Sequence, residues 1–527
     1  MFEIMSFTVL CVLFLLCFRV SNLSGASTCR QKKEGYVYIT LRCSLNTQFF
    51  PVGDSPITNL ECLDCNIPVL NQETILKNFV GNTFNLSSSN VQVISANVLS
   101  EFTNKTKRFF FENNKIDYIA PEVFSHFSQL EEINFRNSKI SHLPAGVLNR
   151  TFVTKLTLSE NSFSAIDHVF EGLKVTRLNL SSNRIREIAT DTFSKTTFIE
   201  GSSFPHRQHL DLANNMIEKL HPGSFKCFDE DNCVNILELK NNQLTKIKNG
   251  TFLDNRHLNE LSLCNNFIHH LESNSFRGLT NLKSLTLRNN RIEIIPVSLF
   301  EDLQQLNTLD LSENFISSLQ LHAFSGLTAL EILNISHNNL ETFTPTYLFP
   351  LGQLTDLDIS DVKVHRLDLK EIMRHNSKLR NIILNDNFWK CNDLLDFYTE
   401  MNKFGGFSSP TQHYGVPNLH GIACSPRELD TYNDFTFAKF LKIVSTDAPL
   451  SDWFNFSPPT KDEQDHTMKY LRNIHGMFIF VLFSIVVLIT CYVIKLVMRC
   501  LYDNNIVKFN RLSFLYLPGQ RNVQVCS

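Results

Sequence analysis

Leu258 to Leu271 reads LNELSLCNNFIHHL, and this stretch decides the fold. Apolar residues stand at its positions 1, 4 and 6 with polar ones between, the pattern of a short strand that buries one face. The same phrase returns as LKSLTLRNNRIEII from Leu282 and LNTLDLSENFISSL from Leu306. Working outward on L-x-x-L-x-L-x-x-N-x-L gives 14 unit starts: Ile57, Gly81, Thr106, Leu130, Val153, Val175, Arg207, Val234, Leu258, Leu282, Leu306, Leu330, Leu354 and Leu379. From Val234 to Leu354 the spacing is 24 residues five times over.

Two further positions carry physics. Position 9 is Asn in 10 units (Asn114, Asn161, Asn183, Asn215, Asn242, Asn266, Asn290, Asn314, Asn338, Asn387). A buried amide both donates and accepts, so it can satisfy backbone groups where the chain leaves a strand and bends. Position 19 is Phe in seven units (Phe124, Phe193, Phe225, Phe252, Phe276, Phe300, Phe324), which accounts for much of a phenylalanine total of 45 in 527 residues. One ring per turn fills the wide side of a stacked array. No single unit can bury its apolar face alone, so the ends of the array need caps.

Fourteen such copies resemble the leucine-rich repeat, and the resemblance covers residues 57 to about 390. It implies an α/β solenoid: a horseshoe with a parallel β-sheet on its concave face and cysteine-containing caps. Cys29, Cys43, Cys62 and Cys65 resemble the N-terminal cap of extracellular members, and three pairings are open to them. Asn387-Phe388-Trp389-Lys390-Cys391 resembles the C-terminal cap motif with Phe388 in place of proline, and implies a Cys391–Cys424 bridge. The spacing stretches to 32 between Val175 and Arg207 and to 27 between Arg207 and Val234. The second insertion holds Cys227 and Cys233, close enough for a local disulfide, which leaves Cys264 as the odd cysteine of the repeat region.

Both ends carry membrane signals. Met5 to Phe18 is an apolar run of 14, the length of a signal-peptide core, with cleavage expected after Ala26. Gly476 to Ile494 gives 19 residues without a charge, enough to cross a hydrocarbon core as one transmembrane helix. Lys495, Arg499, Lys508 and Arg511 follow it, so the positive-inside rule places the C-terminal side in the cytoplasm. The expected order is signal peptide 1–26, N-terminal cap 27–56, repeats 57–386, C-terminal cap 387–424, stalk 425–475, span 476–494 and cytoplasmic tail 495–527. Cys500, beside basic residues just past the span, is a palmitoylation candidate. A tail of about 33 residues is too short for a Toll/interleukin-receptor signalling domain, so a co-receptor or recruited adaptor would carry any signal.

Sequons begin at Asn85, Asn104, Asn149, Asn179, Asn249, Asn334 and Asn455. Asn85, Asn179 and Asn334 sit at position 5, where the repeat grammar itself writes N-x-S, so Asn104, Asn149 and Asn249 are the stronger glycosylation candidates.

A net charge of −3 without basic runs gives no footprint for nucleic acid. No nucleophile, phosphate-loop or zinc motif occurs, so neither enzymatic activity nor a metal or cofactor is expected. The Cys62-x-x-Cys65 pair reads as a disulfide, and His269-His270 as a solvated pair. The resemblance to Toll-type receptors and adhesion proteins implies a single-pass type I plasma-membrane glycoprotein. It would be a receptor, co-receptor or adhesion molecule that binds an extracellular protein ligand or cell-surface protein. Homodimerisation through Cys264 is one possibility, and the rival reading is a membrane-anchored structural or innate-immune scaffold. Strand positions 2, 3, 5, 7 and 8 face outward. In the units from Leu306, Leu330 and Leu354 they place Asp310, Glu313, Glu331, Asp356, Asp358 and Asp361 together with no Lys or Arg, a candidate dock for a basic protein.

Overall fold

The structure is a computed structural model. It describes residues 30–34, 38–43 and 56–425, apart from the short stretches 63–64, 76–78, 101, 103–104, 150, 201–206, 227–232, 404–417 and 420–421. The signal-peptide run, the 476–494 segment, Cys29, Cys227, Asn104, Asn455 and Cys500 lie outside the described residues. Among the described residues no helix is long and apolar enough to cross a membrane.

The repeats form a parallel β-solenoid. A 14-stranded sheet runs from Thr83–Asn85 to Asn381–Ile383, each strand hydrogen-bonded to that of the neighbouring unit. Register is set by the unit pattern: Leu285 pairs with Leu261 on one side and Leu309 on the other, all at position 4. Positions 1, 4 and 6 point into the core, where Leu282, Leu285 and Leu287 are fully buried. Positions 13 and 14 make a second, discontinuous set of short parallel ladders, such as Lys246–Ile247 with His270–Leu271.

The expected α/β layering is corrected here. Opposite the main sheet the units are closed by turns, and helix is confined to the distal end of the described residues, at Pro345–Leu348, Leu369–His375 and Cys391–Lys403. Units of about 24 residues spend so many on strand, turn and Phe-bearing turn that no full helix fits.

The position-9 amides do what a buried amide must. Asn290 Nδ2 donates to Leu287 O (2.9 Å), Arg288 O (3.3 Å) and, across the unit boundary, Leu263 O (3.0 Å). Its Oδ1 accepts from Ile268 N–H at 3.0 Å. One side chain thereby ties two units together and leaves no bend group unpaired. In the first unit the amide is replaced by a covalent tie of the same span, the Cys62–Cys65 disulfide. Cys43 and Cys233 are also disulfide-bonded.

The phenylalanine row is continuous from Phe170 through Phe193, Phe225, Phe252, Phe276 and Phe300 to Phe324. Ring centroids lie 5.9–6.5 Å apart and planes within 17° of parallel. Phe170 joins it from position 18 of its shorter unit. Phe124, expected in the row, belongs instead to a separate N-terminal cluster and meets Phe109 edge-on at 5.9 Å.

The unit start at Arg207 is also corrected. Val175 pairs with Phe198, which is 2 % exposed, so Phe198 holds position 1 of that slot. The chain then leaves the sheet after Ile199 and re-enters at Gln208, with His209–Asp211 paired between Arg177–Asn179 and Ile236–Glu238. The insertion therefore falls inside a strand rather than between units, and Arg207 is solvent-facing.

At the distal end, Trp389 is buried with its Nε1–H donating to Leu384 O at 2.7 Å. The Cys391–Cys424 disulfide and the pairing of Lys390 with Ser425 close the core beneath it.

Candidate protein-binding face

Strand alternation leaves one face of the main sheet without a core to cover it, and its side chains are polar in nearly every unit. Position 5 is built for the bend that follows. Asp310 accepts from Ser312 N–H (3.0 Å) and Oγ–H (2.6 Å), Asn334 from Ser336 (3.0 and 2.7 Å), and Asp358 from Ser360 (3.0 and 2.7 Å). Position 8 is left-handed in unit after unit, from Ser88 (φ 56°) to Asp386 (φ 57°). That explains the frequency of Asn there, the residue that tolerates this conformation best after Gly. Exposed amides then link edge to edge, Asn241 to Asn214 (2.8 Å), Asn265 to Asn241 (2.7 Å) and Asn289 to Asn265 (2.9 Å).

Charge is arranged differently along the face. Toward the N-terminus the ions are closed in pairs across strands: Lys155 with Glu132 at 2.7 Å, Arg136 with Glu160 at 2.5 Å and Arg207 with Glu260 at 2.5 Å. Toward the C-terminus acid predominates. Of the six candidate acids, Glu313 is taken by Arg288 at 2.6 Å and Asp361 by His337 at 2.9 Å. Asp310 and Asp358 hold their own turns. Asp356 accepts from Thr355 Oγ1 at 2.6 Å and from Asn381 Nδ2 at 2.5 Å. Glu331 is exposed. The six thus lie on consecutive strands, but only Glu331 and Asp356 combine an outward carboxylate with freedom from both an ion pair and a turn. Asp386 extends the cluster by one unit; burial and the nearby Asp361 raise its carboxyl above the usual range, with His337 pulling the other way.

The interrupted strand makes a feature that sequence reading missed. His209 is pushed below the ordinary histidine value by burial, against the pull of Asp211, Glu238 and Glu260. Among the described residues its buried Nε2 has no hydrogen-bond partner, and neither has the buried Thr176 Oγ1 of the neighbouring strand. The one available signal was the stretched spacing from Val175.

Cys264 is a free, half-buried thiol at position 7, with Ser262 Oγ 3.5 Å from its Sγ. Asn149 and Asn249 are exposed, whereas Asn179 and Asn334 are partly buried and engaged in their turns. Among the described residues no group of His, Cys, Asp or Glu could hold a metal ion.

Comparison with known proteins agrees with this architecture. The leucine rich repeat family model matches residues 234–292, 280–340 and 304–364, and the BspA type leucine rich repeat region matches 72–172. The chain is 28% identical over 184 residues to human "Leucine-rich repeats and immunoglobulin-like domains protein 3", covering 34% of this chain and 15% of that one. It is 28% identical over 193 residues to "Toll-like receptor 3" of Boselaphus tragocamelus, covering 34% and 20%. The chain thus spans a fifth or less of the length of these curated relatives. A solved structure of the Toll–Spatzle complex of Drosophila shares the fold, with a TM-score of 0.51 at 18% identity over 73% of this chain and 57% of that one. The chain is a leucine-rich-repeat protein whose repeat domain is of the kind found in Toll-type receptors.

Proposed function

We propose that this chain recognises a protein ligand through the outward face of its sheet, as a single-pass type I plasma-membrane receptor, co-receptor or adhesion molecule without enzymatic activity. The observation that carries the reading is the segregation of charge on a continuous, preformed sheet. Ions already closed in pairs offer a partner little, because a new contact must first break the old one. Unpaired carboxylates on adjacent strands repel one another by about 1 kcal/mol per pair at 4 Å even in water, and a cationic partner relieves that repulsion. Such a patch also steers association from a distance. The Toll chain is described in complex with a protein, Spatzle, and the same mode of use is proposed here.

The experiment is affinity capture with the full chain and its Glu331→Lys/Asp356→Lys variant, followed by mass spectrometry of the retained proteins. These two are the carboxylates whose reversal leaves the position-5 turns and the Arg288 and His337 pairs in place. A basic protein captured by the wild type and lost with the variant supports the dock. Equal capture, with equal salt dependence, overturns it. For the anchoring through 476–494, an epitope tag placed after Ser527 is expected to be reached by antibody only in permeabilised cells. Staining of intact cells would contradict the type I orientation.

A further inference from the structure

Away from the outward face of the sheet, the second set of ladders breaks. Glu187–Ile188 pairs with Lys219–Leu220, and Lys246–Ile247 with His270–Leu271, but among the described residues no ladder joins Lys219–Leu220 to Lys246–Ile247. The gap opens a cleft of about 590 Å³. Lys219, Lys246, Lys248, His221 and Phe267 line it, with Glu218 as the one acidic residue of the lining and Glu187 lying 3.5 Å from His221 Nε2. Among the described residues none of the three lysines has a carboxylate within 4 Å, whereas most acids on the sheet face are engaged. Phe267 is 43% exposed, a costly placement for so large an apolar ring, and the Arg291 guanidinium lies 4.6 Å from its centroid. Gln243 and Thr245 complete the lining with an amide and a hydroxyl. The sequon residue Asn249 is exposed and does not line the cleft.

We propose that this cleft binds a sulfated glycan chain of the heparin type. The lysines supply mobile cations that meet sulfates without a fixed fork geometry. The Phe267 ring offers a flat apolar face for a pyranose, and the amide and hydroxyl suit sugar hydroxyls. An acidic peptide would need the cations but would have no use for an exposed ring set among amides. The site is separate from the proposed protein dock, and a chain with net charge −3 has no general affinity for polyanions to imitate it.

The test is retention of the full chain, solubilised in mild detergent, on immobilised heparin oligosaccharide. Wild type is expected to bind and to elute with salt. Lys219→Gln/Lys246→Gln/Lys248→Gln is expected to weaken binding at least about tenfold, three lost charge contacts being worth that much even when screened. Phe267→Ala is expected to weaken it several-fold with the salt dependence unchanged. The control Lys115→Gln/Lys139→Gln/Lys174→Gln removes the same charge from exposed positions elsewhere and is expected to bind as wild type. Five of the six lysines exchanged are exposed and Lys248 is half-buried, and unfolding curves matching wild type verify the fold. The proposal is overturned by absence of retention, by equal loss in the control, by an unaffected Phe267→Ala, or by equal retention on desulfated heparin. Competition by polyglutamate or single-stranded RNA as effective as by heparin at equal charge overturns it as well.

Discussion

The units from Val234 to Leu354 and those from Gly81 to Val153 solve one packing problem in two ways. In the first region the units from Val234, Leu258 and Leu282 are alike, with a position-9 amide, a position-19 ring parallel to its neighbours and a position-8 amide on the rim, and the position-9 amide continues to Asn338. In the second, Ser89 and Ser138 replace two of the amides, and Phe79, Phe84, Phe102, Phe109, Phe124 and Phe127 form a cluster of mixed geometry rather than one stack: Phe84–Phe102 meets edge-on at 4.9 Å and 69°, whereas Phe102–Phe109 lies at 6.0 Å and 8°. The comparison teaches that periodicity of the backbone does not require periodicity of the core. Ser138 shows how: its Oγ donates to Phe111 O at 2.6 Å, which replaces one bond of the missing amide, and its N–H is held by Asn161 from the next unit at 3.0 Å.

The sharpest way to break the comparison is to remove the position-9 side chain from each region. Asn290→Ala strands Ile268 N–H in a buried bend, while Leu263 O and Leu287 O each keep one amide donor, from Asn266 and Asn314, and about 2–3 kcal/mol of stability should be lost. Ser138→Ala removes one of the two side-chain donors on Phe111 O, leaving that from Asn114, and should cost about 1 kcal/mol or less. Urea unfolding of both variants reads the difference. Equal losses would mean that the irregular region leans on its serine as heavily as the regular one on its amide.

Core rings supply the next test. Phe109 meets four other rings, those of Phe84, Phe102, Phe124 and Phe127, whereas among the described residues Phe276 meets two, those of Phe252 and Phe300. Phe109→Leu is therefore expected to cost about 2 kcal/mol and Phe276→Leu about 1 kcal/mol. A larger loss at Phe276 would show that the parallel stack carries energy beyond its buried area.

Much of this was legible because a solenoid repeats its instructions. The strand positions, the buried amides and most of the phenylalanine row followed from spacing alone. Reading failed where spacing failed. Phe198 was passed over because the chain leaves the sheet just after it, and counting back in register from His209 lands on Arg207, whose position-1 place in the core Phe198 already fills. Phe170 was missed because its unit is short, and Phe124 was misassigned because a matching position does not fix a ring's partners. The acidic cluster was visible as composition. Which of its members are engaged depends on side chains reaching across strands, as from Arg288 to Glu313, and no linear pattern records that.

The interrupted strand and the N-terminal region each hold a histidine shifted below its ordinary value of 6.5, His209 and His126, with burial the leading cause for both. A folded value below the unfolded one means that the unfolded chain binds more protons on the acid side. Stability should therefore fall as pH drops through about 6.5 and continue to fall until the folded values are reached. Melting midpoints at pH 7.5 and 5.5 are expected to differ less in His209→Gln than in wild type. His126→Gln should remove a separate share of the dependence. An unchanged pH dependence in both variants would place the titration elsewhere.

The smallest effect concerns the rim, where the regular region itself changes character. Asn241, Asn265 and Asn289 occupy left-handed position 8 with their amides linked, and the next strands substitute Glu313 (φ 55°), His337 (φ 54°) and Asp361 (φ 46°). Asn suits this conformation better than Glu, by several tenths of a kcal/mol, so Glu313→Asn gains there. It also loses the exposed pair with Arg288, worth about 0.2–1 kcal/mol. The two nearly cancel, and the expected net change is within about 0.5 kcal/mol. If folding is indifferent to this exchange, the switch from amides to ionisable groups along the rim answers to what the face meets rather than to what holds it together. Loss of partner capture by Glu313→Asn, at unchanged stability, would then extend the dock from Glu331 and Asp356 to the rim. A destabilisation above about 1 kcal/mol would instead make the Arg288–Glu313 pair a structural element of the array and remove it from the binding surface.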